Sequence, residues 1–196
     1  LDSIGVVKEH SEKTKVLALL PGSRKQEIKK ILPVMIEAAA KIDGFTIVIA
    51  GAPGLDSQDY KTANDAGVNV VFGETRELLK RSEIALITSG TATLEAALLD
   101  TPHVLVYKTS KLTFLAAKAV VNVEHIGLPN LILGRELVPE LIQGDCTSNN
   151  ITNCLKTIAD NPSAQLKGFE EIRKKLGDRG ASKEVAKRIL EIINPS

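Results

Sequence analysis

Two short blocks bring glycine, hydroxyl and charged side chains to the exit of an apolar run. Pro21-Gly22-Ser23-Arg24 follows Val16-Leu17-Ala18-Leu19-Leu20 and opens a helical pattern. Glycine lets a backbone approach a ligand closely. A helix N-terminus offers unpaired N–H groups and a partial positive charge, which suit a phosphate. Arg24 would add a bidentate, charge-assisted contact to phosphate oxygens. The same residues also fit a structural role, with Ser23 and Gln26 as a capping box and Arg24 simply solvated. Spacing alone weighs the two equally. The second block, Ser89-Gly90-Thr91-Ala92-Thr93, follows the apolar run Ile84 to Thr88 and also opens a helix. Its hydroxyls, glycine and free N–H groups make a cradle for a pyrophosphate. Glu95, about one turn on, is poorly placed for phosphate but well placed to accept from ribose hydroxyls. Its structural alternative is a carboxylate favoured by the helix dipole.

Further blocks are less decisive. Gly73-Glu74-Thr75 would border a base pocket, or Thr75 would cap the next helix. Gly127-Leu128-Pro129-Asn130 reads as a loop, followed by Gly134-Arg135-Glu136. Asn130, Arg135 and Glu136 are polar residues in an apolar segment, facing a ligand or satisfying backbone groups. The sequence carries no G-x-x-x-x-G-K-[ST] loop, no G-x-G-x-x-G after the first strand and no G-x-S-x-G elbow. His10, His103 and His125 are scattered, and only His125, just before Gly127, stays open as a site residue. No general base is identifiable.

The elements that must position these blocks alternate. Apolar runs at Val16–Leu20, Phe45–Ala50, Val68–Phe72, Ile84–Thr88 and His103–Tyr107 read as strands. Helical patterns lie between them at Ile28–Ile42 (with Pro33 inside, predicting a kink or two pieces), Ser57–Ala66, Arg76–Arg81, Thr91–Leu99 and, after the last strand, Leu112–Val121. Alternating strands and helices predict an α/β fold: a parallel sheet with helices on both faces, binding ligands at the carboxyl ends of its strands. Asn150–Asp160, Ala164–Leu176 and Lys183–Ile193 read as a helical C-terminal tail covering that sheet.

Composition sets the bounds. The chain has 196 residues, 25 Lys+Arg and 24 Asp+Glu, a net charge of +1 that argues against a nucleic-acid partner. Hydrophobic residues at 43% give one sizeable domain its core. Two cysteines form neither a disulfide framework nor a metal-ligand spacing. Aromatics at 3%, with no Trp, leave no stacking platform. The most apolar stretch, Phe114 to Val121, is too short for a bilayer and is broken by Lys118. Lys108, Lys111 and Lys118 beside Leu112, Phe114 and Leu115 fit a membrane-surface contact or a helix packed on the sheet. Leu1 is no initiator Met, which suggests a piece of a longer chain.

Taken in order, Leu20-Pro21-Gly22-Ser23-Arg24, then Ser89 through Ala96, then Leu128-Pro129-Asn130-Leu131 with Gly134-Arg135-Glu136-Leu137, resemble the lipid-A-disaccharide synthase family. The likeness runs over most of the chain, and the third block makes it specific; the alternatives are another GT-B UDP-N-acetylglucosamine transferase or epimerase and a non-enzymatic nucleotide-binding domain. The likeness implies the C-terminal, Rossmann-like half of a GT-B glycosyltransferase. Residues 1–14 would be the former interdomain linker and about 150–196 the C-terminal helices, with the N-terminal acceptor domain absent. The implied reaction is inverting transfer of 2,3-diacylglucosamine from UDP to 2,3-diacylglucosamine 1-phosphate, without a cofactor or metal. By the same likeness Gly22, Ser23, Arg24, Ser89, Gly90 and Thr91 would hold the diphosphate and Glu95 the ribose. Glu74 and Thr75 would lie by the nucleotide, and Asn130, Arg135 and Glu136 by the donor sugar. The catalytic carboxylate would belong to the missing half, so this chain alone would be inactive. The lipid acceptor would bind mainly through that half, at the inner face of the cytoplasmic membrane, and the full-length enzyme would be a homodimer exchanging C-terminal helices.

Overall fold

A computed structural model describes residues 15–88, 90–109 and 124–177. The apolar runs form β1 (Lys15–Leu20), β2 (Phe45–Gly51), β3 (Asn69–Phe72), β4 (Ile84–Thr88) and β5 (His103–Tyr107). They align in one parallel sheet, completed by a short β6 (Glu140–Ile142), in the order β3-β2-β1-β4-β5-β6. Parallel strands need crossovers, and the helices supply them: α1 (Lys25–Ala39), α2 (Lys61–Asp65), α3 (Thr75–Arg81) and α4 (Thr91–Leu98). After β5 come α5 (Leu128–Leu133), α6 (Ser148–Asp160) and α7 (Ser163–Leu176). Among the described residues no helix is long and apolar enough to cross a membrane.

Successive strand side chains point to opposite faces, which produces two apolar layers. Leu17, Leu19, Ile49, Leu86 and Val104 pack with Ile28 and Met35 of α1 and Ile151 and Leu155 of α6. Ala18, Leu20, Ala50, Ala85 and Ile87 face the other way, onto Leu78 and Leu79 of α3 and Ala96 of α4. Leu105, Val138, Phe169 and Ile172 extend that second layer under α5 and α7. Burial on both faces explains why β1 and β4 are continuous apolar runs and not alternating ones.

Three local outcomes differ from the sequence expectation, and a fourth narrows it. Of the kink or the two pieces expected at Pro33, the two pieces are excluded, since Pro33 lies within a single α1. Pro33, Lys29 and Lys30 are all exposed, so the Lys29 carbonyl that Pro33 leaves without an intrahelical partner is open to water. Residues 57–66 divide into a 3-10 turn, Ser57–Tyr60, and the short α2, with Asp56 and Asp59 forming a capping box on the turn. Gly127 to Asn130 is not a loop: Leu128 begins α5, with Pro129 in its first turn, and Gly134 closes it at φ 68°. β6 was not anticipated because its three residues are half-buried and carry no apolar periodicity. The helical patterns at Leu112–Val121 and Lys183–Ile193 lie outside the described residues.

One contact joins a strand to a helix in an unusual way. The Gln165 side chain of α7 accepts from the His103 backbone N–H (2.8 Å) and donates through Nε2 to the His103 carbonyl (2.9 Å). A side-chain amide thus takes the place of a neighbouring strand, because β6 pairs with β5 only from Leu105 onward. The His103 ring, fully buried, stacks on Phe169 with centroids 5.7 Å apart, and its Nδ1 donates to the Thr101 carbonyl at 2.9 Å.

Candidate functional site: the crevice between the first and fourth strands

The strand order reverses direction between β1 and β4. Crossovers from β1 run one way and those from β4 the other, leaving a crevice at the carboxyl ends of these two strands. Leu20 of β1 pairs with Ile87 of β4, so the carboxyl ends of the two strands leave the sheet side by side. Gly22 adopts φ +99°, and a Cβ there would stand 3.2 Å from Glu27 Oε2 and 3.7 Å from Thr88 Cγ2. The positive φ is what favours glycine here, since the Glu27 carboxylate could give way by the few tenths of an ångström a Cβ would need. Thr88 itself is 5% exposed, and its hydroxyl has no partner among the described residues.

Two helix N-termini open onto this crevice. α1 is N-capped by Arg24 in an extended conformation, with no side-chain cap bond. The Ser23–Gln26 capping box is therefore not formed; Glu27 N–H turns back to the Arg24 carbonyl at 2.9 Å, and the Lys25 and Gln26 N–H groups are left for solvent or a ligand. α4 is N-capped by Gly90 at φ 138°, again with no side-chain cap. Thr93 Oγ1 and N–H both turn back to the Gly90 carbonyl, at 2.9 and 3.3 Å, which leaves the Thr91 and Ala92 N–H groups uncovered. Arg24 extends into solvent, 80% exposed, with Nη1 2.9 Å from Glu27 Oε1. Thr91 is exposed and Glu95 half-buried on α4. Ser89 lies outside the described residues.

Glu74 and Thr75 stand at the same sheet edge but at β3, two strands from β1, which is about 10 Å at the usual strand spacing. Glu74 is the N-cap residue of α3, without a side-chain cap bond, so Thr75 does not cap as the structural alternative supposed.

The third block is placed differently. Asn130 is fully buried. Its Oδ1 accepts from Leu137 N–H (2.7 Å) and Val138 N–H (2.9 Å), and its Nδ2 donates to the Val138 carbonyl and Glu140 Oε1, both at 2.8 Å. Every hydrogen-bonding position of the amide is filled inside the protein, leaving none for a donor sugar. Glu140 in turn accepts from Ile126 N–H and Gly127 N–H at 2.8 and 3.0 Å. Arg135 leans on α7, with Nη2 2.8 Å from Glu171, and Glu136 is exposed. The structure thus brings Gly22, Arg24, Gly90 and Thr91 together and gives Asn130 the work of a brace.

A cleft of about 270 Å³ adjoins the crevice on the α1 side, lined by Arg24, Lys25, Gln26, Glu27, Lys30, Lys108 and Thr109. Lys25 is 2.9 Å from Asp59 Oδ1; that bond raises the ammonium above its usual range and lowers the carboxylate. Lys25 and Lys30 carry no motif in the sequence, and Lys108 reads there only as a packing or membrane-contact residue. The available signal was that Lys108 directly follows β5 and must lie at the carboxyl edge. Both cysteines are pushed up by burial and are poor nucleophiles. Among the described residues no three His, Cys, Asp or Glu side chains gather as a metal would need.

A family model described as lipid-A-disaccharide synthetase matches residues 4–192. This chain belongs to the lipid-A-disaccharide synthase family. The Myxococcus xanthus lipid-A-disaccharide synthase is 36% identical over 195 residues, covering 94% of this chain and 51% of that protein. The chain therefore spans about half the length of the curated synthases it matches. The calicheamicin glycosyltransferase CalG4 superposes with TM-score 0.62 at 18% identity, covering 94% of this chain and 44% of its own. A UDP-GlcNAc 2-epimerase from Neisseria meningitidis, solved bound to UDP-GlcNAc, gives TM-score 0.53 at 21% identity over 92% of this chain and 45% of its own. At such identities these likenesses establish the fold of the synthase domain: Rossmann-like, as in GT-B glycosyltransferases.

Proposed function

We propose that this chain is the donor-nucleotide half of a lipid-A-disaccharide synthase and binds the UDP of UDP-2,3-diacylglucosamine in the crevice between β1 and β4. The observation that carries the reading is the pair of uncapped helix N-termini on adjacent strand ends, with Gly22 lying against Thr88. The N–H groups after Gly22–Ser23 and in the Ser89–Thr91 loop hold the diphosphate, with Arg24 swinging from Glu27 to its oxygens. Glu95 accepts from the ribose hydroxyls. Glu74 and Thr75, two strands away, border the base.

In the full-length enzyme the acceptor 6-hydroxyl oxygen forms the new bond at the anomeric carbon, with inversion, and the C–O bond to UDP breaks with its electron pair leaving on the β-phosphate. The hydroxyl proton passes to a carboxylate outside this chain. Positive helix ends and Arg24 stabilise the departing UDP, in the manner of preorganised donors aimed at developing charge. The chain alone is inactive. The full-length enzyme works as a peripheral protein at the inner face of the cytoplasmic membrane, as a homodimer, on lipid substrates.

Calorimetric titration with UDP tests this. Saturable binding, weakened at least tenfold in both Arg24→Ala and Glu95→Ala, is the expected result. No saturable binding, or binding unchanged in both variants, overturns it.

A further inference from the structure

We propose that the cleft between α1 and the exit of β5 is a second anion site, built for a terminal phosphate and separate from the diphosphate position at Gly22 and Gly90. The occupant of the first position rests on the donor reading above; the second does not need it. The cleft gathers four cations from two elements: Arg24, Lys25 and Lys30 from the start of α1, and Lys108 from the end of β5. Against them stand Glu27, held by Arg24, and Asp59, held by Lys25. Lys30 and Lys108 remain as the positive wall, with the Thr109 side chain beside them. A cleft lined by one sign of charge focuses its field and concentrates counter-ions.

Position along the helix separates this wall from the donor site. Lys30 comes six residues after Arg24, about 9 Å further along the axis at 1.5 Å per residue. A diphosphate seated on the Lys25 and Gln26 N–H groups lies about 6–8 Å N-terminal of Lys30 along that axis, so the cleft shares its Arg24–Glu27 rim with the donor position and extends past it to Lys30 and Lys108. Lysines act as point charges toward phosphate and do not demand the planar fork that arginine reads. A terminal phosphate, with about two negative charges near neutral pH, matches two ammonium groups and a hydroxyl better than a singly charged diester does. The chemistry fits a sugar 1-phosphate, such as the acceptor of the proposed transfer, and also free phosphate.

Titration of this chain with glucosamine 1-phosphate, and separately with inorganic phosphate, tests the site, each in the absence and presence of saturating UDP. Both lysines are solvent-accessible, and a Lys30→Ala/Lys108→Ala variant with an unchanged melting profile is the matched control. Saturable binding of glucosamine 1-phosphate, unaffected by UDP and weakened at least tenfold in the double variant, is expected, with UDP affinity held within twofold. Tighter binding than inorganic phosphate assigns the site to a sugar phosphate, and equal binding to free phosphate. Competition between UDP and glucosamine 1-phosphate overturns the proposal by making the cleft part of the donor site. Binding that is absent, or indifferent to both lysines, overturns it too. Should UDP itself fail to bind, the donor reading falls while the lysine dependence measured without UDP still decides this one.

Discussion

Asn130 spends both lone pairs and both amide hydrogens on Leu137, Val138 and Glu140, so Asn130→Ala strands several buried polar groups at once. At about 1–3 kcal/mol for each unsatisfied buried group, and with partial relaxation, we expect a loss of about 3 kcal/mol in urea unfolding. UDP affinity should fall much less than in Glu95→Ala, and an equal fall in both would remove the distinction between brace and ligand contact. His103 supplies a pH prediction. Burial lowers its pKa from 6.5 to about 4, so the folded protein holds it neutral while the unfolded chain protonates it. Its contribution is whole above pH 6.5, declines as pH falls toward about 4 and is flat below that. The span is worth about 3 kcal/mol at 1.36 kcal/mol per pKa unit. His103→Leu should lose stability at pH 7 by removing the bond to Thr101. It should also show a shallower decline between pH 6.5 and 4.5, measurable as a narrowing gap from the parent protein in urea midpoints.

At the scale of elements, glycines fix how closely segments meet. Gly168 of α7 lies so near Leu137 that a Cβ would overlap both Leu137 methyls. Gly168→Ala should push α7 off the β5 layer at a cost of about 1–3 kcal/mol, read as a lower urea midpoint with an unchanged slope. Legibility followed burial in the same way. β1, β4 and β5 were readable because each is a continuous apolar run buried on both faces, and β4 and β5 have the bounds expected of them. α5 was not readable, since Leu-Pro-Asn is turn-like in isolation and becomes helical only where Asn130 and Glu140 hold it. The Gly22 and Gly90 turns were legible as strand exits onto helix starts. The pairing of α1 with Lys108 was not, because it depends on strand order, which no local pattern encodes.

For the whole molecule, strand order decides function: the reversal between β1 and β4 brings together segments more than sixty residues apart in sequence. A ligand that bridges the two turns should therefore stabilise the entire sheet. UDP at a hundred times its dissociation constant should add about 2.7 kcal/mol by mass action. For a domain of this size that raises Tm by about 5–11 °C, and Glu95→Ala should cut the shift in a thermal melt by half or more. The Gln165 bridge carries a consequence for how the protein is made. Its amide completes the rung at His103 that no strand completes, yet it lies 62 residues downstream. At ribosomal speeds of about 5–20 residues per second, that rung stays open for about 3–12 s after His103 is joined to the chain. During that interval the nascent edge of β5 is a template for any passing extended segment. The arrival of α7 then does two jobs at once, completing the hydrophobic layer and withdrawing that edge from mispairing.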